Sequence, residues 1–247
     1  VASAIGLSAA QLLDLVDAAE SADAAARGRL MLAAAVGDAR PLDELTLGQR
    51  DAWVLALRCG TYGDVLVSRV KCPDCGLTLS VAIPRGHLGV PALDESPPVA
   101  VRVVDGAWAV EARAVDGFAL AAAARCRDVA SARAALISAC VTHASYAGDP
   151  VDPLDVPDTV VAAVGEALLA ADPGCELRVP LACAGCSLEW SPVLDIVHYL
   201  WRELATSSSH LLDEIHHLAK GYGWTEDHVL TLSSRRRRQY VERLAGD

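Results

Sequence analysis

Between residues 8 and 60 apolar positions recur at helical spacing. Leu12, Leu13, Leu15 and Val16 follow a Ser8/Gln11 capping box, Leu30 and Leu32 precede Gly37, and Trp53, Val54 and Leu57 lie between a Thr46/Gln49 box and Gly60. Three packing helices are predicted there. From Val65 the period drops to two: Val65–Lys71 and Leu77–Ile83 read as strands, with Leu77, Leu79 and Val81 alternating against Thr78 and Ser80. Pro84–Pro98 is a loop rich in Pro and Gly, after which Val99–Val104 and Trp108–Arg113 form a predicted hairpin about the Asp105-Gly106 turn. Leu120–Arg127 and Val129–His143 read as helix, Gly148–Asp158 as an exposed loop, and Thr159–Ala170 as helix. Two further β-patterned runs, Glu176–Ala182 and Leu188–Trp190, precede a helical remainder: Asp195–Leu204, Ser209–Lys220, a short helix capped by Thr225, and a last helix capped by Ser233 or Ser234.

Two cysteine pairs interrupt this pattern at corresponding places. Cys72-Pro73-Asp74-Cys75 lies between the first two strands, and Cys183-Ala184-Gly185-Cys186 between the last two. Each pair is therefore expected at a hairpin tip, where both sulfurs point at one spot, and two such tips together supply the four thiolates that tetrahedral zinc prefers. A redox C-x-x-C opens a helix, and neither pair does. A four-cysteine site is closed, so the expected cofactor is one structural Zn2+ per chain, held by Cys72, Cys75, Cys183 and Cys186. The fold class that follows is α+β: helical N-terminal (1–62) and C-terminal (193–247) parts around a four-Cys zinc ribbon (63–192) that carries a mixed α/β insertion (84–174).

Composition narrows the function classes. The chain has 247 residues, 53% of them hydrophobic, but one Phe and one Met, so its helices are expected to pack through Ala, Leu and Val. A formal charge of −11 argues against a general nucleic-acid or anionic-membrane binder. No apolar run approaches the ~20 residues of a membrane span. With four cysteines assigned to the knuckles and no signal-like segment at the start, a reducing cytoplasm is expected; Cys59, Cys126, Cys140 and Cys175 then read as small buried residues.

Two stretches invite a sharper chemistry. In Asp213-Glu214-Ile215-His216-His217 the histidines are adjacent and diverge by about 100° round a helix, unlike the zinc-protease spacing of four. His210, Glu214 and His217 share one face, and polar helix surface at an interface is the expected role there. Arg235 to Arg238 splay round their helix and, near its start, oppose the macrodipole, so an acidic partner or this chain's own acids are expected to meet them. There is no phosphate-cradling loop, no Gly-x-Ser-x-Gly elbow and no cysteine nucleophile with an obvious His partner, and a non-enzymatic role is expected.

The tail carries a resemblance. Leu211 to Glu226, with Val229-Leu230, Leu232-Ser233 and Arg235 to Tyr240, resembles the characteristic tail of a phage baseplate family. That family includes small baseplate-hub assembly proteins of T-even phages and longer relatives encoded with phage-tail-like contractile injection systems. The longer members also look like this chain at Leu47 to Asp51, at Cys72 to Gly76, and in the second pair ahead of Trp190 and Leu200-Trp201. The resemblance implies a baseplate assembly factor or structural component, cytoplasmic or part of the assembled particle, that binds baseplate, hub or spike proteins. It implies partner contact or tail packing for Glu214, His216, Tyr222, Trp224, Arg235, Arg236 and Tyr240. His217 and the additional arginines depart from the family pattern. The competing expectation is a zinc-ribbon nucleic-acid-binding or regulatory protein, motivated by the ribbon and the arginine run.

Overall fold

A computed structural model of the chain describes residues 5–37, 41–90, 93 and 99–246. Within it the architecture is mixed α+β, with helices at both ends and the four knuckle cysteines clustered between them. The predicted loop at 84–98 lies partly outside the described residues.

The N-terminal helices are α1 (Ala9–Ala19), α2 (Ala24–Val36) and α3 (Leu47–Tyr62). Both predicted capping boxes form: Ser8 and Thr46 each accept the N–H of the residue three on, while Gln11 and Gln49 accept the cap N–H in return. Asp23 caps α2 through the N–H of Ala26. Strands β1 (Val65–Lys71) and β2 (Thr78–Pro84) pair antiparallel from Val65↔Pro84 to Lys71↔Thr78 and carry the first knuckle at their tip.

The middle of the chain forms a four-stranded meander, β3 (Ala100–Asp105), β4 (Trp108–Arg113), β5 (Val141–Tyr146) and β6 (Asp149–Pro150), with α4 (Gly117–Ala124), α5 (Val129–Cys140) and α6 (Asp158–Ala171) around it. The predicted helix over 129–143 stops at Cys140, and Val141 to His143 belong to β5. This β-branched segment finds its partner in β4, a pairing invisible to local periodicity. The predicted loop at 148–158 holds the short strand β6, a 3-10 turn at Pro153–Asp155 and the start of α6.

The second knuckle sits between β7 (Leu181–Ala182) and β8 (Glu189–Trp190), which are shorter than the β-patterned runs. Pairing continues past them irregularly, through the bridge Arg178↔Val193 and the bonds Val179 N–H to Pro192 O (3.0 Å) and Leu194 N–H to Leu177 O (2.7 Å). Pro180 and Pro192 have no N–H to give, which breaks the ladder.

The helical remainder is α7 (Ile196–Tyr222), α8 (Glu226–Thr231) and α9 (Ser234–Gly246). The two predicted helices at 195–204 and 209–220 are one. Thr206 to Ser209 are poor helix formers, yet Leu200, Leu204, Ser208, Leu211, Ile215 and Leu218 form one buried stripe across them, and burial of that stripe outweighs local propensity. α7 ends at Gly223, whose left-handed φ of 67° lets its N–H reach Ala219 O.

Two hydrophobic cores form among the described residues. The larger joins α1–α3, β1, β2 and the second knuckle's approach to α7 and Val229, with Met31, Leu55, Leu57, Leu66, Leu177, Ile196, Leu200, Leu204 and Leu218 among its buried members. The smaller, Val110, Ala112, Ala144, Val156, Val160 and Val164, lies wholly inside the insertion. The insertion is seated on α3: Leu47 N–H bonds Val115 O (2.8 Å), Asp172 accepts the N–H of Gly48 (3.1 Å), and a Cβ at Gly48 would lie 2.0 Å from the Asp172 carboxylate.

One buried cation ties the larger core together. The Arg58 side chain, 4% exposed, makes a two-pronged contact with Glu203 of α7 (2.7 and 2.8 Å) and donates to Gly63 O and Val65 O. Removing Glu203 would leave that guanidinium buried without a counter-charge. Glu203→Ala is expected to cost about 3 kcal/mol in denaturant unfolding, more than its partly exposed position alone would cost.

Asp51 of α3 is also buried, and burial raises its carboxyl to about 6, against the opposing pull of Arg50. Because the folded chain then holds this proton more tightly than the unfolded one, the group weakens the fold as pH rises from about 4 to about 6. Relative to Asp51→Asn, the wild type is expected to gain on the order of 2–3 kcal/mol on acidification across that window, read by parallel urea titrations.

Candidate metal centre

The two knuckles share a backbone design. In the first, Cys72 N–H bonds Leu77 O (2.9 Å) and Gly76 N–H bonds Cys72 O (3.1 Å); in the second, Cys183 N–H bonds Leu188 O (2.8 Å) and Ser187 N–H bonds Cys183 O (2.9 Å). Each turn needs a left-handed residue just after its second cysteine. Gly76 takes φ 73° without a Cβ penalty, whereas Ser187 takes φ 60° despite one. The knuckles meet face to face: a Cβ at Gly185 would lie 3.0 Å from Leu77 of the other knuckle.

This contact brings the four sulfurs together. Cys72 Sγ lies 3.6 Å from Cys186 Sγ, Cys75 Sγ lies 3.6 Å from Cys183 Sγ, and all four fall within 4.8 Å of one another. A disulfide needs about 2.05 Å, and all four are free thiols. A tetrahedron of ~2.3 Å metal–sulfur bonds has edges of about 3.8 Å, so the donor set and spacing fit a four-thiolate metal ion. Cys72 and Cys183 are buried, Cys186 is half-buried and Cys75 is exposed, leaving the site at the surface with its first cysteines rooted inward. Among the described residues this is the one group of three or more His, Cys, Asp or Glu side chains arranged to hold a metal ion.

The electrostatics show what the ion would offset. The N–H groups of Cys186 and Gly185 hold the Cys183 thiol down to about 6. At Cys186 the N–H of Leu188 pulls the same way, but desolvation and the neighbouring sulfurs prevail and push the thiol up to about 12. Cys75 is also raised, the N–H of Leu77 being outweighed by Cys183 and desolvation. Backbone dipoles thus favour a thiolate at Cys183, whereas at Cys75 and Cys186 the thiolate is disfavoured, and a bound cation would offset that cost.

The tail residues are arranged in two ways. Glu214 binds Arg237 of α9 (2.7 Å), while Tyr222, Trp224 and Tyr240 pack on one another with centroids 4.8–5.8 Å apart. His216, Arg235 and Arg236 are exposed. Of the arginine run, only Arg237 is buried; it donates to Glu214 and Leu232 O, so an acid of this chain meets the run at one position. Glu214 is committed to that pair, and His217 Nδ1 lies 2.7 Å from Asp213 O. The structural ion pair Arg58–Glu203 had no signal in the sequence beyond charged residues at helical positions, because its partners lie far apart in the chain; for Glu214–Arg237 the sequence signalled the need for an acid but not which one.

Elemental analysis of the purified chain is expected to find one divalent ion, lost in Cys72→Ser and in Cys183→Ser. Both variants should melt at least about 10 °C lower, since a structural site contributes its binding free energy to folding.

Comparison with known proteins finds no family model, no curated protein and no solved structure that matches this chain.

Proposed function

We propose that the chain is a non-enzymatic component or assembly factor of a contractile tail-like baseplate, with Zn2+ in its four-cysteine site. Zinc suits the set because soft thiolates in a closed tetrahedral arrangement select it over oxygen-seeking cations and leave no open position for catalysis. The resemblance of the tail to baseplate proteins is the source of the assembly reading. The observation that supports it best is the form of that tail. α8 and α9 fold back on the end of α7 through the aromatic trio and the Glu214–Arg237 pair, and α7 runs on into the larger core. A helical unit so anchored presents His216, Arg235 and Arg236 outward on a fixed frame, which suits docking to a baseplate, hub or spike protein. The nucleic-acid alternative has less support: Arg237 is used internally and the chain carries −11 overall.

The test is a producing strain whose copy of this protein carries Arg235→Glu and Arg236→Glu. These exposed changes leave the internal pair and the aromatic trio in place, so the variant is expected to accumulate normally yet to lose co-purification with baseplate proteins, with assembled particles reduced at least about tenfold. Normal particles and unchanged co-purification would overturn the reading. Duplex or single-stranded DNA bound by the wild type in low salt, with no baseplate protein recovered, would favour the alternative.

A further inference from the structure

A groove of about 740 Å³ opens between β1, the second knuckle's approach and the first half of α7. Its floor is apolar, formed by Val70, Val81, Ile83, Val179, Leu181 and Leu194. One side is the free edge of β1. Because Asp64 O accepts the N–H of Arg85 across the hairpin, even-numbered residues of β1 point their backbone groups at β2 and odd-numbered ones point them away. The side chains confirm that parity: Arg58 donates to Val65 O (2.9 Å) and the Tyr199 hydroxyl to Val67 O (2.8 Å), both from the side away from β2. Among the described residues the N–H of Val67 and both the N–H and C=O of Arg69 have no partner on the groove side, an unpaired stretch of strand edge above an apolar floor.

The charged groups at the rim are unequally engaged. Asp195 caps α7 through the N–H of His198, and Glu203 is held by Arg58. Arg69 and Arg202 line the same groove and form no ion pair among the described residues, and the positive end of the α7 dipole opens there as well. At this groove Glu203 is paired and Asp195 is engaged as a cap, while Arg69 and Arg202 have no ion-pair partner among the described residues.

We propose that this groove binds an extended acidic segment of a partner protein, which adds as a strand to the free edge of β1. Alternate aliphatic side chains of the segment enter the floor, and its Asp or Glu side chains meet Arg69 and Arg202. This surface is separate from the exposed tail positions His216, Arg235 and Arg236 and does not depend on the baseplate reading.

The experiment uses the full chain against an array of synthetic peptides about six residues long, in which Val, Ile or Leu alternates with Asp/Glu or with Lys, each with a copy interrupted by Pro. Acidic alternating peptides are expected to be retained, and their Lys and Pro counterparts lost. Val67→Pro removes an N–H that faces away from β2, sparing the β1–β2 ladder, and is expected to weaken binding at least about tenfold in fluorescence anisotropy. Arg69→Glu with Arg202→Glu alters no backbone group and should weaken it as far, so the proposal stays testable if Val67→Pro misfolds. On binding, the amides of Val67 and Arg69 should become protected from hydrogen exchange. No retained acidic peptide, equal retention of the Lys series, or binding indifferent to the Arg69/Arg202 pair would overturn the proposal. So would a wild-type dimer that becomes monomeric in Val67→Pro, because the occupant would then be a second copy of this chain. The Arg235/Arg236 variant should bind the peptides normally, which separates failure here from failure of the assembly reading.

Discussion

Four sulfurs that converge on one point constrain everything built around them. Sulfurs 3.6 Å apart are too distant for a disulfide and spaced as a ligand set would be, and the arrangement forms only when two distant hairpins meet. The chain from Ile83 to Leu177 must therefore leave the ribbon and return to it. It does so as a self-contained unit with its own small core, seated on α3 by the close approach of Gly48 to Asp172. With the excursion folded separately, the residues on either side of it share one core, and α1–α3 pack against α7 as though they were neighbours in sequence.

α7 is the element that spans this arrangement. Its first half closes the larger core and supplies Glu203 to Arg58, which in turn holds the turn at Gly63 and the start of β1. Its second half carries α8 and α9. One continuous helix therefore joins the ribbon to the tail, with no loop between them. The tail has its own lock in the aromatic trio and the Glu214–Arg237 pair, so its local geometry is set independently of the ribbon while its placement is not.

The sequence made legible what depends on short-range rules. Capping boxes marked α1 and α3, alternation marked β1 and β2, and the Asp105-Gly106 turn marked the β3–β4 hairpin, each governed by residues within a few positions. The cysteine spacing likewise pointed to one four-sulfur group, and the structure gathers those sulfurs within 4.8 Å. What could not be read depends on a distant partner. Val141 to His143 become strand because β4 lies beside them, and Thr206 to Ser209 become helix because Ser208 sits in a stripe buried by other elements. The likeness of the two knuckles was legible, but not the left-handed turn of the second, where a serine takes the conformation that glycine takes in the first. The groove left no trace, because the free edge of β1 and the rim of α7 meet only in three dimensions.

Charge placement draws these features together. An acidic chain has little reason to bury a cation unless the cation acts as a structural clamp, and Arg58 and Arg237 are clamps of that kind, each with a carboxylate and a main-chain carbonyl at its tip. Their burial removes them from any role at the surface. Among the exposed cations that remain, Arg69 and Arg202 lie at the groove and Arg235 and Arg236 at the start of α9. Surface charge of a sign opposite to the chain's own average attracts acidic groups more strongly than the rest of the surface does, so these exposed arginines differ in physical role from the two buried clamps.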